Sequence, residues 1–233
     1  MRALVFDAGP IISLTINNLL WTLEPLKQKF GGEFYITENV RAELIDKPIE
    51  TRKFKFEALQ VMRNIRAETI KIMPSDKIQA KTEELLNIAN SIFVCRKNPV
   101  KIVHYGEMSS LVAAKMLETN YVVIDERTTR LLIEDADSLV KHMRKKFHSP
   151  IQYNKDKINA FQEETKNIKV IRSAELAIIA YRLGILNSYL PEKDGFKQPE
   201  KTLLESVLWG VKLNGCSLTE DEINQIVEME GNG

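Results

Sequence analysis

Cysteine and histidine, which build many metal and catalytic sites, are scarce in this 233-residue chain, with two and three copies respectively. Cys95 and Cys216 are too few for a disulfide framework, and neither belongs to a Cys-x-x-Cys pair. A zinc site of the usual spacing is therefore excluded, and this cysteine usage is typical of a reducing compartment. No apolar run approaches the ~18 residues of a membrane span, and Asp7 ends the first apolar run too early for a signal peptide. We expect a soluble cytoplasmic protein with no membrane association.

Several familiar catalytic signatures are also missing. The sequence has no G-x-G-x-x-G and no G-x-x-x-x-G-K-[ST], which excludes dinucleotide-binding and P-loop functions. Asp7-Ala8-Gly9 lacks the second aspartate of a haloacid-dehalogenase-type phosphatase, and no serine has a supporting histidine motif. Charge is balanced, with 33 Lys and Arg against 32 Asp and Glu, so net charge indicates neither presence nor absence of a nucleic-acid partner. The 44% hydrophobic content is ample for a folded core.

The hydrophobic pattern alternates short apolar runs with longer helical stretches. Strands are predicted at 3–6, 34–36, 121–124 and 168–171, because each is a compact apolar run bounded by polar or turn residues. Strands that alternate with helices indicate an α/β fold with a mainly parallel sheet. We predict one domain over 1–233. It has helical insertions near 45–100 and 134–166 and a helical C-terminal tail near 196–230.

Four acidic residues occupy positions from which they can meet. Asp7 and Asp125 follow predicted strands, and the C-terminal ends of parallel strands form the ligand crevice of such sheets. Glu43 flanks the buried side of its helix, and Glu107 lies at a helix N-terminus. Carboxylates that converge repel one another and stay charged only with a cation between them. Oxygen ligands without histidine or cysteine select a hard cation, Mg²⁺ or Mn²⁺.

Each of these residues also has an ordinary structural interpretation. Asp7 and Asp125 can be N-caps of the helices that follow them. Glu107 can serve only the dipole of its own helix, and Glu43 can be a surface residue. Those alternatives stay open at the level of sequence.

Five segments carry a resemblance to a known family, in order and in spacing. They are LVFDAGPIISL (Leu4 to Leu14), TENVRAEL (Thr37 to Leu44), GEMSSLVAAKML (Gly106 to Leu117), YVVIDERTTRLL (Tyr121 to Leu132) and KVIRSAELAIIAYRLGIL (Lys169 to Leu186). Together they resemble the PIN-domain nuclease family, and most of all the archaeal and bacterial PIN-like proteins in which Gly-Glu opens the third motif. The resemblance covers about half of the chain and leaves out both predicted insertions.

The resemblance implies a three-layer α/β/α fold and a metal-dependent endoribonuclease that hydrolyses RNA phosphodiester bonds with Mg²⁺ or Mn²⁺. The positions that match the family's catalytic, metal-binding acids are Asp7, Glu43, Glu107 and Asp125. Three departures from the family pattern stand out. Gly9 replaces a frequent Ser or Thr, Glu107 replaces the Asp of the toxin branch, and Glu126 offers an alternative ligand directly after Asp125.

Clustered cations predict where single-stranded RNA would bind. The candidates are Lys141, Arg144, Lys145 and Lys146, together with Arg52 and Lys53. Phe54 and Phe56 follow the second cluster, where their rings either stack on bases or pack into the core. The plainer interpretation of any one of these basic clusters is a solvated helix face.

A second interpretation of the sequence is a PIN-like RNA-binding module with weak or no catalysis. The sequence identifies no target RNA, no protein antitoxin or processing partner, and no oligomeric state; a homo-oligomer stays open.

Overall fold

The computed structural model describes residues 2–74, 76–147, 150–190 and 197–230. The strands in this part of the chain are β1 (Ala3–Phe6), β2 (Glu33–Thr37), β3 (Lys71–Met73), β4 (Phe93–Cys95), β5 (Asn98–Pro99), β6 (Tyr121–Val123), β7 (Ile151–Tyr153) and β8 (Lys169–Ile171). Five of them form a parallel sheet in the order β3-β2-β1-β6-β8. The predicted α/β fold with a mainly parallel sheet is confirmed.

Helices cover both faces of this sheet. In chain order they are α1 (Ala8–Ile16), α2 (Leu23–Phe30), α3 (Glu38–Arg41), α4 (Lys47–Glu50), α5 (Lys55–Arg66), α6 (Gln79–Asn90), α7 (Tyr105–Met116), α8 (Arg127–Glu134), α9 (Ala136–Lys146), α10 (Lys155–Glu164), α11 (Ser173–Arg182), α12 (Pro199–Leu213) and α13 (Glu220–Glu230). Among the described residues, none of these helices is long and apolar enough to cross a bilayer.

Strand β1 shows how the sheet separates two cores. Leu4 and Phe6 belong to the core that includes α1, α2, α5 and α11 to α13, whereas Val5 belongs to the core that includes α6 to α10. Successive side chains of a strand point to opposite faces, so a strand covered on both faces must be apolar throughout. The result is a three-layer α/β/α arrangement.

The segments predicted as helical insertions contain strands that the sequence analysis missed. Within 45–100, β3 adds an edge strand to the central sheet, and β4 pairs antiparallel with β7, which lies within 134–166. A strand of two or three residues is too short to show a period of two, which is why the hydrophobic pattern did not reveal it. The two segments are therefore joined by a second, three-stranded sheet, β5-β4-β7.

Helices α12 and α13 lie in the predicted C-terminal tail, and they belong to the core. Leu204, Leu208 and Ile223 are fully buried in the same core as Phe6. The predicted capping box opens α13, with the Thr219 N–H donating to Glu222 at 2.8 Å and the Glu222 N–H donating back at 3.1 Å. Residues 1, 75, 148, 149, 191–196 and 231–233 of the predicted ranges lie outside the described residues.

The first helix ends earlier than predicted. The sequence favours a helix from Ile11 through Trp21, but α1 stops at Ile16 and a 3₁₀ turn follows at Leu20–Thr22. Asn18 has φ 55°, a left-handed conformation that asparagine tolerates better than most residues and that ends a helix.

Candidate active site

The candidate acids gather where the strand order of the sheet reverses, between β1 and β6. Chain connections run from β1 towards β2 and β3 on one side, whereas β6 and β8 lie on the other side. Asp7 directly follows β1, and Asp125 lies two residues after the end of β6. Both carboxyl groups are buried at this edge, which is the usual ligand crevice of an open parallel sheet.

A glycine brings Glu43 and Asp7 together at the start of α7. A β-carbon on Gly106 would stand 3.3 Å from Asp7 Oδ1 and 3.5 Å from both carboxylate oxygens of Glu43. The two carboxylates therefore lie against the same point of the α7 backbone, one residue before Glu107. The missing side chain at Gly106 leaves the space that they share.

Hydroxyl groups fix the helix that carries Glu107 to the strand that leads to Glu43. The Thr37 hydroxyl accepts from the Val40 N–H at 3.3 Å, and it lies 2.8 Å from the Ser109 hydroxyl. Ser109 in turn donates to the Gly106 carbonyl at 2.7 Å. Glu43 itself sits in a π-helical turn, Ala42–Asp46, a local widening that often occurs at functional sites.

Burial makes Asp7 a weaker acid than an exposed aspartate. Its pKa rises from 3.8 to about 6, chiefly because the carboxyl group is desolvated, with the charges of Glu43 and Asp125 adding to the rise. Hydrogen bonds from the backbone of Ala8 and Gly9 oppose it; the Gly9 N–H donates to Oδ2 at 3.3 Å. Asp7 is therefore the N-cap of α1, as the structural interpretation predicted, and it also faces other carboxylates.

The pKa of Glu107 is shifted more than that of Asp7. Its pKa rises from 4.5 to about 8, chiefly because the carboxyl group is buried, with the charges of Asp7 and Glu126 contributing to the rise. The Thr129 hydroxyl and the His104 N–H both donate to its Oε2 and oppose the rise. One oxygen of Glu107 thus accepts the His104 N–H at the start of its own helix, and the carboxyl group also interacts electrostatically with Asp7.

Asp125 caps a different helix from the one predicted. Its two oxygens accept from the N–H and the hydroxyl of Ser173, each at 2.7 Å, so it holds the start of α11. Glu126 caps the following helix α8 instead, by accepting from the Thr129 N–H at 2.9 Å. Burial raises the pKa of Asp125, and hydrogen bonds from Ser173 and the Cys216 thiol lower it. Asp125 is consequently buried and already hydrogen-bonded.

The carboxylate oxygens of these four acids are suitable ligands for a hard cation, although the side chains do not form a complete coordination shell. In the described part of the chain, no three Asp, Glu, His or Cys side chains converge at metal-ligand spacing. The raised pKa values of Asp7 and Glu107 mean that this pocket favours protons, which a bound cation would replace. A β-carbon on Gly9 would stand 3.6 Å from Asp7 Oδ2 and 3.7 Å from Asp125 Cβ, so this departure leaves room for a small side chain.

The predicted nucleic-acid contacts lie on two separate elements. Four of them are exposed on α9: Lys141, Arg144, Lys145 and Lys146. His142, between them, has its pKa lowered by burial and by the charges of Arg127 and Lys146, and raised by Glu126. His142, on one face of α9, therefore lies near Arg127 and Glu126 at the start of α8, whereas Arg144 lies over the Tyr153 ring of β7, 5.8 Å from its centre.

The other pair, Arg52 and Lys53, is exposed in the turn before α5. Lys53 Nζ lies 4.7 Å from the centre of the Phe54 ring, and Phe54 lines a groove together with Glu43. Phe56 is 71% exposed, so the interpretation that it packs into the core is wrong. This cluster therefore adjoins the Glu43 side of the site.

Some residues of the site escaped the sequence analysis. Ser173 lies two residues after the end of β8, near the same edge of the sheet, so the rule that found the acids could have found its hydroxyl as well. Thr129 lies three residues after Glu126, the spacing of a helix cap. Cys216 gave no signal, because its contact with Asp125 depends on the packing of the C-terminal helices.

Comparison of the chain with profiles of known protein families, with curated proteins and with solved structures finds no match. The likeness to PIN-domain nucleases therefore depends on the sequence motifs alone, and the description of the site depends on its geometry.

Proposed function

We propose that the protein is a cytoplasmic PIN-type endoribonuclease that hydrolyses single-stranded RNA with Mg²⁺ or Mn²⁺. The observation that carries this proposal is the convergence of acids at the start of α7. Asp7 and Glu43 lie around Gly106, and the buried carboxyl group of the next residue, Glu107, couples to Asp7 and has a raised pKa, as Asp7 has. Carboxylates that repel one another in a crevice lower the stability of the protein, and a cation-dependent function explains why they are present there.

In this proposal Asp7, Glu43 and Glu107 hold the cation, and Asp125 completes the acidic set from the neighbouring strand. A bound Mg²⁺ or Mn²⁺ would supply Lewis-acid activation of water and charge stabilisation at the phosphate. Glu107, and below its pKa of about 6 Asp7 as well, releases its proton when the cation binds, because only carboxylates are ligands. Ser173 orients Asp125, and Thr129 orients Glu107.

The surrounding cations have a separate role. Acidic groups repel a phosphate backbone, so an RNA-cleaving site needs positive charge beside it. The exposed side chains of Lys141, Arg144, Lys145 and Lys146 would supply this charge on α9, and those of Arg52 and Lys53 would supply it before α5.

The alternative function is an RNA-binding module that does not cleave. One observation favours it: both oxygens of Asp125 and one oxygen of Glu107 already accept hydrogen bonds within the protein. Residues that only cap helices would show the same bonds. The two functions differ in whether a divalent cation changes the fate of bound RNA.

The deciding experiment mixes purified protein with end-labelled single-stranded RNA in Mn²⁺, in Mg²⁺ and in EDTA, with single-stranded DNA of the same sequence in parallel. We expect RNA cleavage by the wild type that requires the metal and that Asp7→Asn abolishes. Asp156→Asn, which changes an exposed acid in the first turn of α10, is the matched control and should cleave normally.

Other outcomes are equally informative. RNA that shifts on a native gel but stays intact in both metals would favour the binding module. Cleavage that Asp7→Asn leaves unchanged would contradict the proposed site, because a contaminating nuclease or another part of the chain would then be responsible.

A further inference from the structure

An apolar groove opens directly beside Glu43. Its walls include Ile12 and Ile16 from α1, Leu44 from the π-helical turn, and Phe54 before α5, and Glu43 and Glu57 contribute carboxylates. Its volume is about 130 Å³. Drug-sized ligands usually occupy pockets of roughly 300 Å³ or more, so this groove suits a single ring system.

The walls of the groove are exposed where a ligand could reach them. Ile12, Ile16 and Phe54 are each between 41% and 43% exposed. Phe54 also has φ 64°, a left-handed conformation that is unfavourable for a bulky aromatic residue. Such backbone strain concentrates at ligand-binding positions, where the surrounding structure holds it in place.

Positive charge borders the same groove. Lys53 Nζ lies 4.7 Å from the centre of the Phe54 ring, and Lys47 Nζ lies 4.0 Å from Glu43 Oε1. An aromatic face with apolar walls and flanking lysines has the chemistry of a site for single-stranded nucleic acid, in which the ring stacks on a base and the cations meet phosphates. An apolar peptide would offer no anion to these lysines, which in the structure pair with the Phe54 ring and with Glu43.

We propose that this groove binds one base of the RNA substrate, with guanine preferred, at the nucleotide next to the cleavage site; this specificity rests on the proposed nuclease function. Phe54 supplies the stacking face. Glu57 accepts hydrogen bonds from the base, and a carboxylate accepts only from donors. Guanine presents two adjacent N–H donors on its Watson–Crick edge, whereas uracil flanks its single N–H with carbonyl oxygens that a carboxylate repels. Glu43, shared between groove and acidic site, sets the distance between base and scissile phosphate.

The test uses metal-free protein in EDTA, so that it does not depend on cleavage. The four nucleoside 5′-monophosphates are titrated separately, and their dissociation constants are measured by protein NMR. We expect GMP to bind most tightly and UMP most weakly. Phe54→Ala should weaken GMP binding roughly 5- to 150-fold, the range for removing the stacking partner of one base. Glu57→Gln should reduce the preference for GMP over UMP.

The matched control is Phe56→Ala, which removes a more exposed phenylalanine that does not line the groove and should leave GMP affinity unchanged. Equal affinity for all four nucleotides, or equally weakened binding in Phe54→Ala and Phe56→Ala, would overturn the inference. So would displacement of GMP by an apolar peptide but not by single-stranded RNA.

The two proposals fail in different ways. Guanine-selective binding that depends on Phe54, in a protein that never cleaves RNA, would support the base site and refute the nuclease. Metal-dependent cleavage with no base selectivity, unchanged in Phe54→Ala, would support the nuclease and refute the base site.

Discussion

Replacing Asp7 with asparagine should stabilise the metal-free protein at neutral pH. The folded protein raises the pKa of Asp7 from 3.8 to about 6, so it binds this proton more tightly than the unfolded chain does. Stability contributed by such a group is present in full below pH 3.8 and is lost as the pH rises to about 6. Asparagine has no charge to lose, and it caps a helix as well as aspartate does.

The size of the effect follows from the difference between the two pKa values. That difference corresponds to about 3 kcal/mol, since each pKa unit is worth 1.36 kcal/mol. For a chain of this length the same free energy moves the melting temperature by roughly 6 to 12 °C. At pH 4 the wild type and Asp7→Asn should therefore have similar stability, and at pH 7 the variant should be the more stable.

The assay is urea unfolding of both proteins in EDTA at pH 4, 5, 6 and 7, with Asp156→Asn as the control for removal of an exposed acid. Addition of Mn²⁺ at pH 7 should then stabilise the wild type and not Asp7→Asn, because a ligand that binds only the folded state raises its stability. Parallel pH profiles for wild type and variant would refute the reasoning, since Asp7 would then carry no penalty for ionisation.

Three further changes probe other parts of the site. Asp125→Asn should destabilise the metal-free protein by about 1–3 kcal/mol in urea unfolding, because the new amide cannot accept both bonds from Ser173; a gain in stability would mean that these bonds contribute little. Gly106→Ala should weaken the stabilisation of the protein by Mn²⁺, since its methyl group meets two carboxylates, whereas Gly9→Ala should not; equal behaviour in melting experiments would contradict this placement. Neutralising residues 144–146 together should flatten the log–log salt dependence of RNA binding by roughly 0.7 for each phosphate that these side chains no longer neutralise, and an unchanged slope would make them a solvated helix face.

The parts of the site that the sequence could predict depend on neighbouring residues. Asp7 follows its strand directly, and the Thr37 cap lies three residues from its donor. Strand, cap and acid are all visible in such a short window, and parallel strands then bring their C-terminal ends to the same edge. The predicted position of the crevice acids required nothing more.

What the sequence could not predict depends on contacts between distant segments or on very short elements. Asp125 is bound by Ser173, 48 residues further on, so no local pattern distinguishes a cap of α11 from a cap of α8. The groove beside Glu43 is assembled from α1, the π-helical turn and the start of α5. Strand β3 has three residues among helical ones, and pairing with β2 decides its conformation.

The central claim, that these carboxylates share a divalent cation, is tested most directly by calorimetric titration of Mn²⁺ into the metal-free protein at pH 7, in two buffers of different ionisation enthalpy. We predict saturable binding with about one proton released per ion, because Glu107, with a pKa of about 8, is protonated at this pH and Asp7, with a pKa of about 6, is mostly ionised. The same titration of Asp7→Asn should show greatly weakened binding. No saturable binding to the wild type, or binding to Asp7→Asn with unchanged affinity and proton release, would contradict the claim.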